Sequence, residues 1–394
     1  MRILLLLTEL PYPPSRNGIA LINYELLKLA PKDVTIDILI TGCKEDSGEV
    51  DRLRAAAPAI NNVHFTGEPL SRKYRVGNLI SGVLLGRNIF TQVGVREYLK
   101  EQGGNIDVVY VAPLMAGVDF RLTRPLFLNA VDSFARLNEN AYLRTGRLRD
   151  WLKMALYRIY ERRVLAAASL INFVSDSDLE SVRRGNPALP LLNVSNGIDS
   201  TVFTPDERQR VPGRLLFTGN FDYAPNRDAA RHLALVIFPL IRASWPNVTL
   251  QLVGRNPPSD VVGLQGVMTT GFVDDIVACY RSAEVFVCPL LSGAGVKNKI
   301  LEALSTGMPI VTTALGIEGI GYLQEDRHYL LAEEPHVFSQ KVLRVLRDAG
   351  LRRSLGEQAR SVATQHLGWQ PISDRYYEAL RRVAAAERGE HHEG

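Results

Sequence analysis

At 394 residues, 46% hydrophobic and 22% charged, the chain has the makeup of a globular protein and the length for two domains of ordinary size. Its formal net charge of +4 is too mild to argue for a nucleic-acid partner. Three cysteines, Cys43, Cys279 and Cys288, are too few and too scattered for a disulfide framework or a zinc site, and such usage fits a reducing cytoplasm.

Both halves alternate strand-like and helix-like segments, the pattern of doubly wound parallel α/β sheets. Ile3–Leu7 is too short an apolar run for a signal peptide and is followed by Glu9 and prolines, so it reads as a buried first strand. No apolar stretch is long enough to span a bilayer. Ile19–Leu29 has helical periodicity, Val34–Leu39, Val108–Val111, Leu126–Asn129 and Leu170–Val174 read as strands, and Leu148–Ala168 as a helix. Residues 41–105 carry little pattern. Thr204–Arg214 is polar, holds two prolines and a glycine, and is the best linker. In the second half the expected strands are Leu215–Thr218, Thr249–Val253, Val267–Thr270, Val285–Pro289, Ile310–Thr313 and Tyr329–Leu331. The helices between them are Asp228–Arg242, Asp275–Arg281 and Val296–Ser305. The remainder is mainly helical, in Pro335–Ala349, Leu351–His366 and Pro371–Ala386, before a polar end at Arg388–Gly394.

Two doubly wound domains imply a cleft, and in such sheets ligands bind at the carboxyl ends of strands. Three loops obey that rule: Pro11–Gly18, Gly219–Asn226 and Ser292–Gly295. The last is the most informative. It lies between an apolar strand and a helix start, where backbone N–H groups and the helix dipole favour an anion. Lys297 and Lys299 add positive charge in the first turn, where Asp or Glu is the usual choice. A bound phosphate or diphosphate would supply the missing negative charge. A solvated helix start, with Gly307 as an ordinary C-cap, accounts for the same residues.

The pieces Pro11-Tyr12-Pro13-Pro14 with Gly18, Asn196-Gly197-Ile198-Asp199 with Phe203 and Pro205, Phe217-Thr218-Gly219-Asn220, Tyr223-Ala224-Pro225-Asn226, Val253-Gly254, Gly271-Phe272-Val273-Asp274, Val285–Thr313 and Trp369 are unspecific one by one. In this order and spacing the chain resembles the retaining GT-B-fold glycosyltransferases of the large family 4, the bacterial polysaccharide and glycan type. The resemblance implies two Rossmann-like domains facing a cleft. Residues 1–205 would bind the acceptor, 206–368 the nucleotide-sugar donor, and 369–394 would form a helix crossing back to the first domain. It implies metal-independent hexosyl transfer with retention, from a UDP- or GDP-linked sugar and without a cofactor. The acceptor would be a glycan, lipid-linked or other hydroxyl in surface polysaccharide or glycoconjugate synthesis. One departure stands out: relatives usually carry a Glu eight positions before the Glu of the LEA motif, where Ala294 stands here, while Glu302 is retained. Backbone N–H groups of Gly295 and Val296, beside Gly293, are the expected replacement for that sugar contact.

The resemblance then implies roles. Lys297 and Lys299 would neutralise the leaving diphosphate, and Glu302 would accept from a ribose. Gly219 and Asn220 occupy the loop where relatives place a Gly-Arg pair, so Asn220, Asn226 or Arg227 is expected to stand in for the Arg; Pro225–Asp228 reads equally as a turn and helix cap. Val273, with Gly271 and Phe272, would line the base pocket through its backbone, and Glu318 would reach donor hydroxyls in place of the missing Glu. In the first domain, Asn17 and Gly18 would approach the sugar or phosphate. The loop Ala112–Met115 lacks the His many relatives use, which makes Asp132 the candidate acceptor-side base or orienting group, or else a strand-end turn.

Asp176-Ser177-Asp178 matches a metal-binding DxD only superficially and is expected to cap a helix; no histidines show ligand spacing, so no metal is expected. Tyr142–Arg163 is rich in arginine with interleaved Trp151, Leu152, Leu156 and Tyr157. It reads either as a basic amphipathic helix on anionic lipid, at the inner face of the plasma membrane, or as a core-packed helix with a solvated basic face. Ser71–Phe90, with Arg72, Lys73, Arg75 and Arg87, would add to the first reading. A nucleotide-sugar epimerase and a non-catalytic nucleotide-sugar-binding protein are the alternatives on the same fold. The epimerase lacks its expected cluster of acids and histidines, and Ala294 keeps the second open.

Overall fold

The computed structural model describes residues 1–12, 17–41, 46–66, 72–85, 93–102, 105–114, 124–293 and 295–386. They form two compact units: Met1–Ser195 with Gln370–Gly394, and Asn196–Trp369.

Unit 1 runs β1 (Arg2–Leu7), α1 (Gly18–Lys28), β2 (Thr35–Ile40), α2 (Ser47–Ala56), β3 (Ile60–Phe65), α3 (Arg72–Leu85), α4 (Val93–Gln102), β4 (Val108–Ala112), β5 (Leu126–Val131), α5 (Phe134–Thr145), α6 (Leu148–Val164), β6 (Leu170–Phe173), α7 (Asp176–Gly185) and β7 (Leu191–Asn193). Its strands lie in the order β3-β2-β1-β4-β5-β6-β7, all parallel. The central strands are buried along almost their whole length, as helices on both faces require. A chain of buried hydrogen bonds crosses the sheet. Tyr110 donates to Asn23 Oδ1 at 3.0 Å, Asn129 Nδ2 to the Tyr110 hydroxyl at 2.8 Å, and Asn172 Nδ2 to the Tyr376 hydroxyl at 2.8 Å.

Unit 2 runs β8 (Arg214–Thr218), α8 (Ala224–His232), α9 (Phe238–Ser244), β9 (Thr249–Val253), β10 (Val267–Thr269), α10 (Ile276–Ser282), β11 (Val285–Cys288), α11 (Asn298–Ser305), β12 (Ile310–Thr312), β13 (Leu330–Leu331), α12 (Pro335–Arg347) and α13 (Ala349–His366). Its parallel sheet has the order β10-β9-β8-β11-β12-β13. One apolar core spans it, from Leu215 and Phe217 through Phe286 and Leu301 to Phe338 and Val345. The last helix, α14 (Trp369–Ala386), returns to unit 1, where the Tyr377 hydroxyl donates to Leu26 O at 2.6 Å and Arg381 pairs with Asp33 at 2.9 Å.

Four expectations need correction. The division falls before Asn196, not at 205/206. Ile198 bridges to Gly368, and Arg360 donates to the carbonyls of Ser200 and Phe203, so the stretch ahead of the proline-rich segment already belongs to unit 2. Tyr142–Arg163 is not one helix: Gly146, at φ 64°, ends α5, and α6 starts afresh at Leu148. The helix expected over Asp228–Arg242 is broken by a π turn, Leu233–Ile237, just ahead of Pro239, whose nitrogen has no hydrogen to donate. Helix α11 begins at Asn298 rather than Val296, with Lys297 as its N-cap.

Candidate active site

In unit 2 the strand order reverses between β8 and β11, and the loops after these strands meet at the carboxyl edge of the sheet. This is the switch point at which open α/β sheets bind ligands. Its floor is made of glycine. A Cβ on Gly254, whose φ is 141°, would stand 1.9 Å from the carbonyl oxygen of Gly219. A Cβ on Gly219 would stand 2.8 Å from the Asn226 side chain and 2.9 Å from Lys299 Nζ. Only glycine lets these backbones approach so closely while Asn226 and Lys299 lie directly over them.

Lys299 joins the two loops. Its Nζ donates to Asn226 Oδ1 at 2.7 Å and sits 4.3 Å from the centre of the Phe217 ring. Asn226 Nδ2 in turn donates to Asn220 O at 2.9 Å. Burial pushes the Lys299 ammonium down to about 8, against the opposing pull of Cys288 and Glu302. Lys297, 8% exposed, donates to Gly295 O at 2.5 Å and pairs with Glu318 at 3.4 Å. Gly293 and Gly295 carry the intervening loop at φ 130° and 71°. The buried Ser292 hydroxyl has no hydrogen-bond partner among the described residues. Ala294 lies outside the described residues.

Glu302 lies one turn further along α11. Its Oε2 accepts from the Tyr280 hydroxyl at 2.6 Å, and that hydroxyl lies 2.9 Å from Thr218 Oγ1. Burial raises the Glu302 carboxyl above its ordinary value, and Tyr280 and Lys299 hold it back. Val273 turns its side chain into the core of unit 2, and the exposed Phe272 ring stacks 4.7 Å from the Arg255 guanidinium.

The structure thus brings Gly219, Asn220, Asn226 and Lys299 into one cluster and places Glu302 beside it. Two further contacts bear on the expected roles of Glu318 and Glu302. Glu318 is the ion-pair partner of Lys297, because the loop after β12 folds back over the start of α11. Glu302 is held by Tyr280. That tyrosine has no motif around it and carries no signal in the sequence; an aromatic on a short helix looks like any core residue.

In unit 1, Asn17 is the N-cap of α1: Oδ1 accepts from Ala20 N at 2.9 Å and Nδ2 donates to Glu9 Oε1 at 2.5 Å. Gly18 is the first residue of the helix. Pro13, Pro14 and Met115 lie outside the described residues. Asp132 is half-buried and follows Val131, a β-branched residue held at φ 70°. Such a conformation costs on the order of 1–3 kcal/mol, supplied by the surrounding structure. Directly below, Ser133 donates to Glu161 Oε2 at 2.9 Å, Ala135 N donates to Glu161 Oε1 at 3.2 Å, and Ser133 N donates to Asp178 Oδ1 at 3.3 Å. Burial raises the Glu161 carboxyl to about 7; Ser133 and backbone N–H groups oppose the shift and Asp178 adds to it. Asp178 is not itself the N-cap of α7: Ser175 is, its Oγ accepting from Asp178 N at 3.2 Å and donating to Asp178 Oδ2 at 2.5 Å.

Residues 212–348, covering most of unit 2, match the family model described as Glycosyl transferases group 1. A sucrose-phosphate synthase from Thermosynechococcus elongatus is similar in structure over 98% of this chain and 100% of its own, with a TM-score of 0.72 and 16% identity. The chain has the GT-B fold. A second GT-B structure, Anabaena HepE in complex with UDP and glucose, matches 97% of this chain and 99% of its own at TM-score 0.67 and 14% identity. Among curated sequences, phosphatidyl-myo-inositol mannosyltransferase of Mycolicibacterium smegmatis is 25% identical over 171 residues, 41% of this chain and 42% of the relative. The alignments to curated relatives span less than half of either chain.

Proposed function

We propose that the chain is a retaining hexosyltransferase that uses a nucleotide-diphosphate sugar, UDP- or GDP-linked. The observation that carries this reading is the glycine-floored switch point of unit 2 with Lys299 over it, inside the segment that matches the group 1 family model. The similar HepE structure is a complex with UDP and glucose, which supports the donor class. On this reading the diphosphate lies against the helix start at Lys297–Lys299, and Gly293, Gly295 and Val296 offer backbone N–H groups toward the sugar. Glu302 accepts from the ribose on its oxygen not engaged by Tyr280, and Glu318 exchanges Lys297 for sugar hydroxyls. Gly271 and Val273 border the base.

In the reaction, the bond from the anomeric carbon to the phosphate oxygen breaks, and a bond to the acceptor hydroxyl forms on the same face. The acceptor proton passes to the departing phosphate. The negative charge that develops there is met by the two lysines, without a metal ion. Unit 1 supplies the acceptor side, with Asn17, Gly18 and Asp132 as its candidate residues, and the acceptor is a glycan or lipid-linked hydroxyl of surface-polysaccharide or glycoconjugate synthesis.

The test is turnover of UDP-glucose and GDP-mannose with a panel of glycan acceptors, followed by release of nucleoside diphosphate and by NMR of the new anomeric proton. Acceptor-dependent release with the donor's anomeric configuration retained supports the reading. Nucleotide-sugar binding without transfer to any acceptor favours a non-catalytic binding protein, and inversion contradicts the retaining step.

A further inference from the structure

Helix α6 is apolar on two opposite faces. Met154, Tyr160 and Val164 are buried, the last two in the core that contains the central strands of unit 1. On the far side Leu148, Leu152, Leu156 and Ile159 form a stripe at near-helical spacing, 68%, 48%, 42% and 42% exposed. The inner side of α6 is already met by α3, α5 and α7, so packing within unit 1 has no use for the second stripe. Helix α3 packs alongside: Gly82 lies so close to the Tyr160 ring that a Cβ there would stand 2.3 Å from it. From the other side of α3, Val76, Ile80 and Leu84 repeat every four residues and are exposed.

Cations flank the α6 stripe. Arg149 and Lys153 stand on one side of it and Arg158 and Arg162 on the other, all exposed. Arg163 donates to the carbonyls of Val83 and Leu84 at 2.6 and 2.9 Å, which places its charge at the end of α3 beside the exposed leucines. The acids nearby are already engaged. Glu139 pairs with Arg158 at 2.6 Å and Asp150 with Arg149 at 3.5 Å, Asp150 also accepting from Thr145 at 2.9 Å, so Lys153 and Arg162 are left in excess over the acids of this face.

We infer that the outer face of α6, with α3, docks on an anionic lipid bilayer. The apolar stripes enter the headgroup boundary and the flanking cations meet lipid phosphates. Charge selects this occupant over a second copy of the chain, because a symmetric pair joined through this face would set the same arginines against one another. No described helix is long and apolar enough to cross a membrane, so the contact is a superficial one.

The experiment is co-sedimentation of the full chain with phosphatidylcholine vesicles, with and without phosphatidylglycerol, at low and high salt. Binding that requires phosphatidylglycerol and weakens with salt is expected. Leu152→Gln combined with Leu156→Gln lowers partitioning by about tenfold or more. Arg149→Gln with Lys153→Gln and Arg162→Gln removes the preference for anionic lipid. Both variants change exposed side chains only, and cooperative unfolding like that of the parent verifies that they fold. The inference is overturned if the parent ignores vesicles, if it binds neutral and anionic vesicles alike, or if the leucine variant binds as the parent does. It is equally overturned if sedimentation velocity finds a dimer that the leucine variant dissociates while vesicles capture nothing. None of these readouts involves sugar transfer, so the surface is tested apart from the proposed reaction.

Discussion

The two sheets share one topology and carry opposite chemistry at their carboxyl edges. Both run 3-2-1-4-5-6 from their own first strands, with β7 added in unit 1. In unit 2 the edge is open backbone, Gly219 against Gly254, beneath a half-buried ammonium. In unit 1 the turn after β5 is strained at Val131 and rests on two buried carboxyls, Glu161 and Asp178. Topology decides where loops converge; the side chains decide what can bind there. Unit 2 sets a lysine ammonium over open backbone, whereas unit 1 buries carboxyls beneath a turn that they hold in place.

The largest effect should come from breaking the floor of unit 2. Gly254→Val forces a Cβ against a backbone oxygen that cannot yield, and should destabilise unit 2 by about 3 kcal/mol or more in urea unfolding. Unchanged unfolding would mean the two backbones are not in contact. Next is the polar chain across unit 1. Asn172→Leu leaves the Tyr376 hydroxyl and the Asn129 side chain short of partners in the core. A loss of about 1–3 kcal/mol in unit 1 is expected, with diphosphate affinity intact; a loss of affinity as well would show that the two edges do not act independently.

The third prediction concerns pH. Since the Lys299 ammonium loses its proton near about 8, affinity for a nucleoside diphosphate should fall as pH rises through that value, by about tenfold over the transition. Lys299→Ala should flatten the profile in calorimetry. The fourth prediction concerns pH in unit 1. Glu161 holds its proton up to about 7 when folded and to 4.5 otherwise, so it contributes stability below that window that is lost as pH rises across it. Glu161→Gln should therefore remove much of the parent's decline in stability between about pH 5 and about pH 7, up to about 3 kcal/mol. Parallel curves for the two proteins would show that Glu161 ionises freely in the fold.

Much of this architecture was legible in the sequence, for a physical reason. Strands buried on both faces are near-continuous apolar runs, and Ile3–Leu7, Val108–Val111 and Val285–Cys288 are visible as such. Strand β3, Ile-Asn-Asn-Val-His-Phe, is half-exposed and polar at the sheet edge, and it left no such trace. Lys297, Lys299 and Glu302 could be read together because one helix start carries them. The partner of Lys299 is 73 positions away and that of Lys297 is 21. Such contacts are set by tertiary packing, which no local pattern encodes. Glu161 looked like any helix-surface acid, because burial of a carboxyl depends on what packs over it. The break at Gly146 was readable in principle, since glycine between two helical patterns is a stop signal, but the run of arginines across it suggested one helix.

The most direct test of the central claim, that the switch point of unit 2 holds a nucleoside diphosphate, is calorimetric titration of UDP, GDP, ADP and TDP. It is run against the parent and the Lys299→Ala variant, with the matching nucleosides alongside. The account predicts selective binding of one diphosphate, weakened about 10- to 100-fold by Lys299→Ala, with nucleoside binding unchanged. Equal losses for diphosphate and nucleoside, or no binding of any diphosphate by the parent, would contradict it.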